Sequence, residues 1–119
     1  MEAQERSTVG VIRVDDKWKV DQPNVRMIRG KQIRFDNTTG KTMHLQFPPA
    51  LFQDPAGTDV EYKILEPGSF VELTVVSDAI QTIQRGNRVS PPHYYAVFIT
   101  PDNVYAGGSN PPPEIDVEG

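Results

Sequence analysis

A chain of 119 residues can bury a core as one domain, and its longest apolar runs fall well short of the ~20 residues needed to cross a bilayer. The net charge of −4 argues against a nucleic-acid partner, since phosphate binding demands a dense basic face. The absence of cysteine removes disulfides, thiolate ligands and cysteine nucleophiles together, and leaves the redox compartment open.

Charge is uneven along the chain. Residues 1–45 hold nine basic and six acidic side chains, whereas residues 46–119 hold three and ten. In a protein whose strands mix between layers this reads as solvated surface, the alternative being a basic patch for an acidic partner. The polar start MEAQERSTVG is not a secretory signal. The expected compartment is therefore the cytoplasm if residue 1 is the native start, and the periplasm or exterior if a leader was removed.

Val9 to Val14 is the first β-branched run, and Lys17 to Val20 is a second short one after an Asp15-Asp16 turn. Val25 to Ile28 and Lys31 to Asp36 predict two strand pieces broken at Gly30. Within the second, Ile33 and Phe35 alternate with polar residues, the pattern of a half-buried strand. Asn37 to Gly40 is a turn, and Thr42 to Phe47 is the next strand, stopped by Pro48-Pro49. Residues 50–57 read as a loop with apolar residues folded over one end. Val60, Tyr62 and Ile64 then alternate, Pro67-Gly68 turns the chain, and Val71, Leu73 and Val75 point one way.

Residues 77–92 lack strand character, and Ser77 or Asp78 suits the cap of a short helix bearing Ile80 and Ile83. His93 to Ile99 is the most apolar strand and is expected to be central. Residues 100–103 form a turn, 107–113 are irregular, and Glu114 to Glu118 closes the chain with Ile115 and Val117 inward. Seven or eight strands with at most one short helix predict a single all-β Greek-key sandwich over residues 1–119.

Three stretches carry a family likeness. KQIRFDNTTGKTMHLQF (31–47) resembles the cupredoxin segment leading to the first copper histidine, ILEPGSFVELTV (64–75) its proline-glycine turn into an alternating strand, and HYYAVFITPDNVYAGGSNPPPEIDVE (93–118) its last pair of strands. The resemblance spans about residues 31–118 and implies the cupredoxin strand order. It does not bring the copper. A blue-copper centre needs a thiolate and two imidazoles with a weak axial ligand. The family's tyrosine-x-tyrosine-x-cysteine pattern falls here on His93, Tyr95 and Val97, so valine stands where the thiolate belongs. The family's downstream histidine and methionine have no counterpart among residues 98–113. Counting back from Phe47 puts the remaining copper histidine at Met43, with His44 one residue further on.

The face shared by Met43, Leu45 and Phe47 directs His44 outward with Gln46, and a one-residue slip would bury Gln46 and expose Leu45. His44 then reads as a surface histidine and Met43 as a gap filler at the edge of the core. His93 shares a face with Tyr95, Val97 and Ile99, the setting of a hydrogen-bonded core-edge histidine. A non-blue metal held by His44 or His93 with carboxylates is the alternative. No cofactor and no catalytic residue is expected: neither histidine has an evident orienting acid, Asp15-Asp16 solvates, and Gly107-Gly108 has no helix after it to aim amides at a phosphate.

The residues therefore predict a non-enzymatic domain without type 1 copper that serves as an interaction or structural module. Its expected contacts with another protein are the end loops 37–42, 77–92 and 105–113, or an aromatic face of Tyr94, Ala96 and Phe98 where nothing covers it. The triple proline 111–113 either acts as a polyproline ligand or stiffens the approach to an edge strand.

Overall fold

The computed structural model describes residues 4–77, 83–84, 87–88, 93–106 and 112–118, and none of them is helical. In chain order the strands are β1 (Gln4–Val9), β2 (Val11–Val14), β3 (Lys17–Val20), β4 (Asn24–Asp36), β5 (Thr42–Gln46), β6 (Phe52–Gln53) and β7 (Tyr62–Leu65). They continue as β8 (Phe70–Val75), β9 (Ile83–Gln84), β10 (Asn87–Arg88), β11 (His93–Tyr94), β12 (Ala96–Thr100), β13 (Val104–Tyr105) and β14 (Glu114–Glu118). One sheet runs β11-β14-β4-β8-β6, with β1 also paired to β4, and the other runs β13-β12-β5-β7. The pairs β2-β3 and β9-β10 stand apart as two-stranded units. The molecule is the all-β sandwich that the alternation predicts.

The break expected at Gly30 is a bend within one strand of 13 residues. Each half of β4 has partners of its own: β14 runs parallel to residues 24–28, while β8 runs antiparallel to residues 32–36. Both halves send alternate residues inward, Val25 and Met27 from one, Ile33 and Phe35 from the other. At the changeover Gly30 takes a φ of +91°, which an L side chain rarely adopts.

The run Val9 to Val14 divides at Gly10. Val9 pairs with Phe35 in the large sheet, while β2 folds back on β3 through Asp15 and Asp16. Both aspartates have positive φ, 51° and 62°, the conformation required by a two-residue hairpin loop and tolerated by aspartate. The loop 50–57 is partly strand, since Phe52 pairs with Val75 and buries itself with Leu51. Most of the short helix weighed for 77–92 lies outside the described residues; the parts that are described, β9 and β10, pair antiparallel.

His93 to Ile99 is also not one strand. β11 pairs with β14 in the large sheet, and β12 pairs with β5 in the small one, so the chain crosses between layers at Tyr95. The Tyr95 ring lies in the core, 5.6 Å from Phe35 and 5.9 Å from Phe47, with Phe52 completing the cluster at 4.8 Å from Phe47. Phe35 and Phe52 belong to the large sheet, Phe47 follows β5 of the small one and Tyr95 sits at the crossing, so their burial ties the layers together, each contributing roughly 1.5–3 kcal/mol. Pro113 is buried and its carbonyl accepts from Tyr95 N. It thus leads rigidly into β14, which lies between β11 and β4 rather than at an edge.

Candidate functional site

In β5 the inward residues Met43 and Leu45 are fully buried, so Thr42, His44 and Gln46 face out. Register then assembles their neighbours. His44 lies opposite Phe98 on one side and Ile64 on the other, Phe98 lies opposite Tyr105, and Gln46 lies between Tyr62 and Ala96. Four rings form a row across the sheet: Tyr62 to His44 is 6.0 Å, His44 to Phe98 is 6.2 Å, and Phe98 to Tyr105 is 4.9 Å. Tyr62 and Tyr105 at the two ends are 50% and 52% exposed.

Hydrogen bonds fix the centre of the row. His44 Nδ1 lies 2.5 Å from the Tyr62 hydroxyl and Nε2 lies 3.1 Å from Thr100 Oγ1. With His44, Gln46, Tyr62, Phe98, Thr100 and Tyr105 as its lining, the face encloses a shallow groove of about 310 Å³. That size sits at the small end of the roughly 300–1,000 Å³ of ligand pockets. The expected face of Tyr94, Ala96 and Phe98 is corrected in one member: Tyr94 is exposed on the other sheet, because the crossing at Tyr95 separates it from Phe98. Tyr62 and Thr100 take its place. Neither carried a sequence signal, since only register brings them beside His44.

The frame around the groove is tied down. Asn37, 1% exposed, donates from Nδ2 to the carbonyls of Lys41 (2.6 Å) and Leu65 (2.8 Å), while its Oδ1 accepts from the backbone N–H and hydroxyl of Thr39. The turn after β12 is held from outside: the Trp18 indole donates to Asp102 Oδ2 at 3.0 Å, and Lys41 Nζ lies 3.3 Å from Oδ1. These contacts, the indole first, hold the Asp102 carboxyl below the usual range.

His93 belongs elsewhere. It is half-buried in the large sheet, and its Nε2 lies 2.8 Å from Ser77 Oγ. A second cleft, about 480 Å³, is lined by these two with Pro49, Ala50, Gln53, Asp59 and Val76. A hydroxyl, a histidine and an acid thus meet in one cleft. Yet Asp59 accepts from Gln53 Nε2, and the buried Nδ1 of His93 has no hydrogen-bond partner among the described residues. Among the described residues, no carboxylate is placed to orient His93 as in a catalytic triad.

The two histidines lie on different sheets and line different cavities, and both ring nitrogens of His44 face hydroxyls. Among the described residues no three His, Cys, Asp or Glu side chains converge on a metal position. The residues of the copper region do not fit copper either. Met43 and Val97 are buried among Ile99, Leu65 and Ala106, and the chain has no thiolate to offer.

Among the described residues no helix is long and apolar enough to cross a membrane. No family model matches the sequence, and no curated protein matches it significantly. Solved structures of amicyanin do match in shape. An oxidized amicyanin mutant aligns with a TM-score of 0.52 at 12% identity, covering 98% of this chain and 86% of that one. Another mutant, in the Cu(I) form, and a third, reduced, each align with a TM-score of 0.50 at the same identity and coverage. At such identity the likeness is one of fold, and this chain has the fold of a cupredoxin without the residues of a blue-copper site.

Proposed function

We propose that this is a non-enzymatic binding module that has the cupredoxin frame without type 1 copper and meets its ligand on the outer face of β13-β12-β5-β7. The observation that supports the reading most is the row of four rings, Tyr62, His44, Phe98 and Tyr105, on one outer sheet face, with half-buried His44 and Phe98 between exposed Tyr62 and Tyr105. Aromatic side chains exposed together at low conformational freedom are what binding surfaces are made of. The Ser77–His93 pair, lacking an acid on Nδ1 among the described residues, supports a structural rather than a hydrolytic role for that histidine.

Two measurements test the proposal. Adding Cu(II) to the purified protein is expected to give no intense blue charge-transfer absorption, and its appearance would overturn the copper-free assignment. Amide and aromatic NMR signals recorded against fractionated cell extract are expected to move selectively at the ring row. Movement confined to the Ser77–His93 cleft, or none at all, would remove the ring row as the binding surface.

A further inference from the structure

We infer that the ligand of this face is an uncharged oligosaccharide, an inference that rests on the face being the binding surface proposed above. Three observations lead there. The first is size: four strands about 4.8 Å apart and at most five residues long make a footprint of roughly 14 by 17 Å. That is about a third of the roughly 800 Å² that each partner gives to a specific protein interface. The groove suits a short chain of small rings better than a globular partner or a second copy of this chain.

The second is charge. The six lining side chains are His44, Gln46, Tyr62, Phe98, Thr100 and Tyr105, and with a neutral imidazole none carries formal charge. An anionic or cationic ligand would find no counter-charge in the lining, whereas a neutral one needs none. The third is the way polar groups are set among rings. His44 engages Tyr62 and Thr100 at once, so one imidazole nitrogen donates and the other accepts. Whichever tautomer holds, one of the two hydroxyls keeps its O–H to donate and the other keeps a lone pair to accept. A sugar hydroxyl is both donor and acceptor, and the C–H faces of a pyranose pack on flat rings such as Tyr62 and Tyr105. The Gln46 amide adds a further donor and acceptor on the outward row.

The experiment titrates cellohexaose, xylohexaose, N-acetylchitohexaose and maltohexaose separately into the labelled full chain. Signals of Tyr62, His44, Phe98 and Tyr105 are followed. At least one sugar is expected to shift these signals with saturation. Tyr105→Ala and Tyr62→Ala should each weaken it by about tenfold or more, as loss of an aromatic anchor does. Tyr105→Phe, which keeps the ring, and Tyr94→Ala, on the other sheet, should leave affinity within about twofold. Equal binding by Tyr105→Ala and the native chain would overturn the inference, as would failure of all four sugars. If the sugars fail while a protein fraction of the extract moves the same signals, the sugar assignment falls and the face remains the binding surface. If neither moves them, both readings fall.

Discussion

His44 Nδ1 lies 2.5 Å from the Tyr62 hydroxyl, although register sets His44 opposite Ile64 and Tyr62 opposite Gln46. The contact is a diagonal across β5 and β7, within reach because both side chains carry rings. Tyr62→Phe removes it while keeping the ring, and is expected to lower stability by roughly 0.5–1.5 kcal/mol, toward the low end because Tyr62 is half exposed. Urea unfolding measures this. An unchanged midpoint would mean that the diagonal bond contributes nothing in solution.

Asn37 should be the most sensitive polar position in the frame. Asn37→Ala leaves the Lys41 and Leu65 carbonyls without the Nδ2 donor, and the predicted loss is about 2–4 kcal/mol. Asn37→Asp should fare no better, because a carboxylate would face those two carbonyls with no hydrogen to give. A fall of less than about 1 kcal/mol in chemical denaturation would show that water replaces the amide readily.

Tyr95 presents the opposite case. Its hydroxyl is buried without a partner among the described residues, so Tyr95→Phe is predicted to be neutral or stabilising by up to about 1 kcal/mol. Burial, aided by the charge of Asp21, holds the phenol proton on far above the ordinary tyrosine range. An unfolded chain releases that proton near pH 10. Above that pH the folded state binds more protons than the unfolded one, so stability is whole below about pH 10 and declines as pH rises. In Tyr95→Phe this part of the alkaline decline should vanish, as melting from pH 8 to 11 will reveal.

Asp102 links two distant parts of the chain, receiving the indole N–H of Trp18 and the ammonium of Lys41. Its carboxyl is predicted to titrate below the ordinary aspartate value, and Trp18→Phe and Lys41→Ala should each raise it, the indole bond being the largest single cause. What stability this depressed value brings is present above about pH 3.9 and lost as pH falls through the folded value. The carboxyl carbon resonance of Asp102 tracks the titration directly. Equal values in Trp18→Phe and the native chain would show that the hairpin is not docked there.

Period-two alternation alone placed Ile33, Phe35, Met43, Leu45, Val97 and Ile99 inside, set His44 outward with Gln46, and predicted the sandwich. Those are local facts, because side chains on a strand alternate whatever the strand lies beside. The missing copper set was equally legible, since a chain without cysteine has no thiolate wherever it folds. What local pattern does not carry is which strand neighbours which, and in what register. The single run His93 to Ile99 passes from one sheet to the other at Tyr95, which moves Tyr94 off the Phe98 face. Tyr62 and Thr100 reach His44 from positions 18 and 56 residues away. The groove is therefore a product of long-range pairing: composition supplied its rings and hydroxyls, and the closing of the small sheet brought them together.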